Sequence, residues 1–552
     1  MGDAPRTTVR FRGRPISLPR GATFVQALAA GRLPILQRSI RYHRPRAPAC
    51  GTGACSQCLV RVNGRPNVRA CLYRPQPDDV ISTENAWPSP EWDLLGALDT
   101  VFWRGLDTVH GFRRPAAFAP LYHRVIRRLA GFGRIADSAG PPMPPGRSIE
   151  ADALVVGAGP SGRAAAERFA SAGRSTVLLD RAGTGPPLPG LESLDRTTVV
   201  FLPPPRPAGE PRFQAVAVRD GNEGLRIRAR TVVVATGGYD GPLLFAGNDR
   251  PGVVTAEGAL AFTLPGREPP FRRALLVGGG PRAAELLDAL GAHIEAVAAP
   301  TQIAPAVVAR ASALGVPLYP RSLLLAARGR HRVRSALLRP RGEGAPFALD
   351  VDAVILAHRR LPQPQLFFQA GARMTWRPGA GAYFPELSAE GGTSVIGLGA
   401  AGTAAGHLDP AEAAASGAAA ADALLGRPVG PHPPTSIGAD GPPNELEGYY
   451  RELLEGRRPR GKWVLCPCED VLLAEIEAAS RRGYRGIEVI KRFTGVGTGL
   501  CQGRYCLPDA LLLLSILEGR PPSAVGYITQ RPPVLPVALG ALAGLPDGAE
   551  AA

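Results

Sequence analysis

The chain has 552 residues, 45% of them hydrophobic and 20% charged, a composition that excludes a disordered or fibrous protein and predicts roughly three to five globular domains. No apolar run reaches the roughly 18–20 residues of a membrane span and residues 1–14 hold no apolar signal core, so a cytoplasmic protein without a transmembrane segment is expected. The formal charge of +17 is almost all arginine, since Lys462 and Lys491 are the only lysines. It follows no basic stripe interleaved with aromatics, so a solvated basic surface is expected and no nucleic-acid partner.

Residues 7–18 read as two short strands around Arg12-Gly13, followed by a helix near residues 23–30. The eight cysteines come next, in two sets of four with none between Cys71 and Cys466. Cys50, Cys55, Cys58 and Cys71 follow C-x4-C-x2-C with a distant fourth, the spacing of plant-type [2Fe–2S] ligands. Gly51 and Gly53 would let backbone N–H groups turn toward the sulfurs; zinc is the alternative occupant of four thiolates. Disulfides are not expected in a cytoplasmic chain. With no cysteine in its middle, the chain also lacks the dithiol of a disulfide reductase. Residues 92–135 read as a polar, aromatic, helical connecting arm, and 140–146 as a semi-rigid Pro-rich linker.

The densest motif lies at 153–180. An apolar strand at 153–156 runs into Gly157, Gly159 and Gly162, spaced G-x-G-x-x-G at the mouth of an Ala-rich helix. The first glycine serves the tight turn, the second admits a pyrophosphate to the backbone, and the third lets helix and strand pack. A second strand at 175–179 ends in Asp180, whose carboxylate can accept from both hydroxyls of a ribose. The alternative is a strand–helix turn without ligand. At 231–240 a β-branched strand runs into Ala235, Thr236 and Gly237, returning over this first fold. Residues 274–290 repeat the strand–glycine–helix design with Gly278, Gly280 and Ala283, implying a nested second domain. Its next strand ends in Ala298-Ala299 without an acid, so a structural copy is favoured there over an NAD(P) site. A third glycine-rich strand is expected at 393–402, then an Ala-rich helix and a Pro/Gly linker over 427–444. Cys466 and Cys468 precede one helix of the last module, and Cys501 and Cys506 another, whose positive N-terminal end would favour thiolates. A second [2Fe–2S] cluster, or zinc, is expected there. His43, His293, His358 and His407 are scattered and read as surface or core residues, and the catalytic residues stay unassigned.

On these residues the chain resembles the α subunits of heteromeric flavin-dependent amine and amino-acid dehydrogenases, among them sarcosine oxidase, hydrogen cyanide synthase, opine oxidase and dye-linked proline or hydroxyproline dehydrogenases. RYHRPRAPACGTGACSQCLVRVNGRPNVRAC and NAWPSPEWDLLGALD resemble the ferredoxin-like part of that family. VVGAGPSG, ATGGYD and GNDRPGVVTAEGA resemble its flavin domain, and CPCEDV, TGLCQGRYC and RPPVLPVALGALAG its C-terminal bacterioferritin-associated-ferredoxin-like module. The resemblance implies a multidomain α/β chain: a β-grasp [2Fe–2S] ferredoxin-like domain (1–91), an arm and linker (92–147), a two-dinucleotide-fold FAD/NAD(P) flavoprotein core (148–426, the nested fold about 266–375), a linker (427–460), a small helical [2Fe–2S] module (461–540) and a tail (541–552). It further implies FAD on Gly157, Gly159, Gly162, Asp180, Thr236, Gly237 and Gly399, and a glycine-oxidase-like FAD-containing β subunit where the substrate is oxidised. Two departures bear on flavin binding: the Gly-Asp pair of relatives reads Gly399-Ala400, and the segment after Asp180 is short. A third, the absence of a folate-binding domain, argues against sarcosine as substrate. The expected role is electron transfer from that partner to an acceptor. The alternatives are a stand-alone NAD(P)H-dependent ferredoxin reductase-like enzyme and a non-catalytic assembly subunit.

Overall fold

The computed structural model describes residues 5–29, 31–102, 105, 143–206, 212–264, 266–342, 344–388, 391–429, 445–456 and 458–546. Most of the expected arm, part of the first linker and residues 430–444 of the second lie outside the described residues. The chain divides into two units, each built from three separated segments. Residues 1–139, 240–359 and 445–526 make the first, and 140–239, 360–444 and 527–552 the second.

The first unit opens with a hairpin, Arg6–Phe11 against Arg14–Pro19, whose turn residues Arg12 and Gly13 both take positive φ, at 51° and 77°. That is the turn whose twist matches paired strands. Strict alternation sends Thr7 and Val9 inward and the arginines out. The short helix Phe24–Leu28 is closed by a Thr23–Gln26 capping box. Val80–Thr83 then lies parallel to Arg6–Phe11, and Leu59–Val62 and Arg65–Arg69 complete a five-stranded β-grasp sheet.

In the same unit a five-stranded parallel sheet runs in the order Val253–Thr255, Ala353–Leu356, Ala274–Val277, Ile294–Ala298, Leu318–Tyr319. Its central strands are apolar throughout, as strands covered on both faces must be. Ala256–Phe262, Pro281–Leu290 and Pro305–Leu314 supply helices, and an antiparallel sheet of three strands follows at Ser322–Arg328, Ser335–Pro340 and Phe347–Asp350. The unit ends in a short hairpin, Val464–Cys466 with Val471–Leu472, and the helices Leu473–Arg481, Ile487–Thr494, Leu507–Glu518 and Pro522–Val525.

The second unit is a seven-stranded sheet. Leu191–Leu194, Thr176–Leu179, Arg147–Val156, Glu223–Val234 and Leu398–Ala400 are parallel, and Phe213–Arg219 and Thr197–Phe201 extend it antiparallel. The helices Pro160–Ser171 and Pro410–Leu424 pack closely because both are Ala-rich and a Cβ at Gly417 would overlap the Ser161 carbonyl. Only Leu398–Ala400 of the expected 393–402 strand joins the sheet. Thr393 turns the preceding residues back, its N–H and hydroxyl both donating to the Leu398 carbonyl. Among the described residues no helix is long and apolar enough to cross a membrane.

Not all of the arginine lies on the surface. Arg38, Arg44 and Arg46 are buried in the first unit, against carboxylates and carbonyls that offset their desolvation.

Candidate functional site

In the second unit the strand Arg147–Val156 ends at Gly157, whose φ of +107° only glycine adopts comfortably. A Cβ there would overlap the Ala235 carbonyl, and one at Gly162 the Gly157 carbonyl. Gly159, the N-cap of Pro160–Ser171, differs: a Cβ would meet nothing within 4 Å. Two glycines are thus required by the chain's own packing, and one faces open space at a helix N-terminus, where a pyrophosphate binds. Thr236 borders this turn, and its buried hydroxyl has no partner among the described residues. Gly237 follows with positive φ, and Gly399 sits in the adjacent strand beside Val233, facing Leu424 and Ala420.

Asp180 differs from expectation. One of its oxygens accepts from Ala158 N–H at 3.0 Å, and the other from Ala182 and Gly183 at 2.7 and 3.3 Å. A carboxylate offers about four acceptor sites, so three are already used and room remains for about one ribose hydroxyl rather than both. Arg163, on the first turn of the helix, donates to the Thr184 and Pro186 carbonyls and fastens the short segment that follows Asp180. The residues fit a dinucleotide, held more by the glycine turn than by the acid.

The second glycine turn lies in the first unit. Gly278 and Gly280 precede the helix Pro281–Leu290, and Gly280 is again open. The neighbouring loop closes on Gly279, which accepts from Ala304 N–H at 2.8 Å and lies against Gln302 and Ala299. Arg282 in the first helical turn is paired with Glu285 and Asp240. His358 follows the strand Ala353–Leu356; burial and the adjacent Arg359 push its imidazole down to about 3, so it is neutral. His43 pairs with Asp93 at 2.7 Å, and His407 is fully buried in the second unit.

All eight cysteines lie in the first unit, buried and reduced. Cys55 donates to Cys50 with the sulfurs 3.3 Å apart, and Cys71 contacts Cys50 and Cys58. Hydrogen bonds from Cys55 and Cys71 hold Cys50 well below the ordinary thiol range, while its donor Cys55 is pushed well above. Backbone N–H groups of Thr52 and Cys55 point at Cys50. The second set forms a chain of contacts, Cys506 to Cys466 to Cys468 to Cys501. Cys468 is pushed up to about 12, first by its bond with Cys466 and then by burial. N–H groups of Gly503 and Tyr505 serve Cys501, and that of Gly497 serves Cys506, the N-cap of Leu507–Glu518. Among the described residues no three ligands converge on one ion. Within each set the sulfurs run in a continuous series of contacts, Cys55 to Cys50 to Cys71 to Cys58 in the first.

The sequence did not point to the residues that join the segments of this unit. Asp470, fully buried, accepts from Arg41 and Tyr42 N–H and from Arg46. Asp249 accepts from Arg44 through two bonds of 2.7 Å and also pairs with Arg46. Burial alone would raise the Asp249 carboxyl, but Arg44 and Arg46 outweigh it and hold the group far below the usual range. Ser56, between Cys55 and Cys58, donates to Cys468 at 2.9 Å. Partners 203 to 429 positions apart leave no local spacing to read.

Residues 4–86 match a family described as a 2Fe-2S iron-sulfur cluster binding domain, and residues 460–545 match the sarcosine oxidase A3 domain. The chain is 29% identical to the alpha subunit of sarcosine oxidase from Rhizobium meliloti, over 98% of this chain and 58% of that protein. It is 28% identical to one subunit of opine oxidase from the same organism, over 71% of this chain and 98% of that one. The chain therefore spans less than two thirds of the sarcosine oxidase subunit it matches. The structure of L-proline dehydrogenase from P. horikoshii superposes with a TM-score of 0.68 at 19% identity, covering 98% of each chain, which establishes a shared fold. The chain is similar to these oxidase subunits, shares the fold of that dehydrogenase, and carries an N-terminal region matching a 2Fe-2S cluster binding domain.

Proposed function

We propose that this chain is the FAD- and iron–sulfur-containing electron-transfer subunit of a heteromeric dehydrogenase or oxidase acting on amines or imino acids. The observation that carries the reading is the burial of two complete four-thiol sets in one compact unit, each supplied with backbone N–H donors. In this reading Cys50, Cys55, Cys58 and Cys71 hold one [2Fe–2S] cluster and Cys466, Cys468, Cys501 and Cys506 a second. FAD lies on Gly157, Gly159 and Gly162, with its pyrophosphate at the open Gly159, a ribose hydroxyl on Asp180, and Thr236, Gly237 and Gly399 bordering it. When bound, these groups supply the electron chemistry: the flavin takes one or two electrons and each cluster one.

The protein's part is placement. The free N–H groups and positive end of the helix Pro160–Ser171 would hold the anionic pyrophosphate. The N–H groups around Cys50, Cys501 and Cys506 stabilise charge on sulfur. Burial excludes water from the thiolates, which lowers the local dielectric and strengthens those bonds. The second glycine turn, with no acid and with its neighbour loop folded onto Gly279, serves as a structural copy; NAD(P) is not assigned to it. The proposed partner is an FAD-containing β subunit of the glycine-oxidase type, which oxidises the substrate, and the proposed location is the cytoplasm. The test is co-purification with the product of a neighbouring flavoprotein gene, followed by dye reduction with amines and imino acids. A chain that purifies without flavin or iron under anaerobic conditions overturns the reading.

A further inference from the structure

The first unit brings its two cysteine loops into direct contact. Ser56 is 4% exposed, and its hydroxyl donates to the Cys468 sulfur, 412 positions away, at 2.9 Å. Three neighbours fix that approach. Gln37 donates to the Ser56 carbonyl at 2.6 Å, holding the loop from behind. Arg69 donates to the Leu500 carbonyl at 3.1 Å, immediately before Cys501. Gly499 packs so closely on Cys468 that a Cβ there would overlap it. Tyr505, buried beside Cys506, faces Cys50 and Cys55 from the other loop.

Resting on the reading that both sets hold clusters, we propose that Ser56, carried on the first cluster's loop, is a positioning residue for the second, its hydroxyl donating to the Cys468 thiolate. The Cys468 thiol of the structure stands for that ligand thiolate. A donor on a ligand sulfur stabilises the more negative, reduced form, and hydrogen bonds to the sulfurs are among the terms that set such potentials. Ser56 and Cys468 form a charge-assisted bond in a buried site, where its loss is felt strongly. The C-terminal centre is therefore easier to reduce than its own module alone would make it, and its potential depends on the N-terminal loop being folded.

The test is a redox titration of the full chain, purified anaerobically and followed by electron paramagnetic resonance, with the C-terminal signal assigned through Cys501→Ser. Ser56→Ala should shift the C-terminal centre toward the oxidised form by about tenfold at fixed poise, which is 59 mV for a one-electron couple. The N-terminal signal should keep its potential, and Ser56→Thr should restore most of the shift. In the unaltered protein the two signals should broaden each other when both centres are reduced, and this broadening should vanish in Cys501→Ser. Four irons per chain with an unmoved C-terminal potential, or without mutual broadening, would overturn the inference alone. Two irons and one signal would overturn the two-cluster reading, and the inference with it.

Discussion

At the scale of residues, the three glycines of the first turn separate folding from binding. A Cβ at Gly162 would overlap a carbonyl of the chain itself, whereas one at Gly159 meets only open space. Gly162→Ala is expected to destabilise the second unit by about 3 kcal/mol or more, since strand and helix must part. Gly159→Val should leave the melting temperature of flavin-free protein unchanged and abolish flavin binding, read from flavin absorbance after reconstitution. Equal destabilisation by the two changes would show that Gly159 is structural. Asp249 makes a second prediction. Buried beneath Arg44 and Arg46, it holds its proton far less readily than a free carboxyl. Its folded pKa is depressed, so it contributes stability above the unfolded value of about 4 and loses it as pH falls below that. Asp249→Asn removes the charge that Arg44 and Arg46 share, leaving Arg44 to Asp99 and Arg46 to Asp470, and should cost about 3 kcal/mol near neutrality. Melting curves of both proteins at a series of pH values should converge toward acid; a gap that widens below about pH 4 contradicts the assignment.

At the scale of elements, what was legible in the sequence was whatever is spaced locally. The hairpin at Arg12-Gly13 and the glycine turns are written within short windows, because each meets its partners within one strand–turn–helix, and the cysteines declare themselves by residue type even where Cys466 meets Cys506 across the last module. The 393–402 strand was misread because Thr393 caps a turn with its own side chain, and a hydroxyl among β-branched residues does not announce that in sequence. The crowding of Asp180 was hidden for a related reason, since its competitors are backbone N–H groups of any residue type. Bonds from Ser56 to Cys468 and from Arg46 to Asp470 were out of reach, because nothing in one segment encodes the address of another. Each cysteine set nonetheless has its own loops and N–H donors, so each should fail separately. Cys55→Ser should remove the N-terminal paramagnetic signal and about two irons, and Cys501→Ser the C-terminal signal and about two others, as expected for [2Fe–2S] centres. Iron and acid-labile sulfide analysis checks this. Stoichiometric zinc in either set would refute the assignment there.

At the scale of the whole molecule, the two units divide the labour that the proposed function needs. One gathers the thiols, with the β-grasp sheet, the nested parallel sheet and the C-terminal helices drawn from three segments of the chain. The other presents the open glycine turn. The nested sheet repeats the dinucleotide design, but its second strand ends in Ala298 and Ala299, and the loop that follows lies against Gly279. That strand supplies no carboxylate at its end for a ribose, although Gly280 itself is open. In the proposed reading this turn is a structural copy, and the electrons come from a substrate oxidised on a partner flavoprotein rather than from NADH. The prediction is that the isolated chain, loaded with flavin and iron, reduces dye with proline, hydroxyproline, sarcosine or an opine at no more than background. Co-expressed with a glycine-oxidase-like β subunit, the pair should exceed the isolated chain by roughly 100-fold or more with at least one of these substrates, a small part of what enzymes deliver. Flavin reduction by NADH should be slower than turnover of the pair. Turnover of an amine by the isolated chain, or flavin reduction by NADH at a catalytic rate, would show that the electrons enter here without a partner.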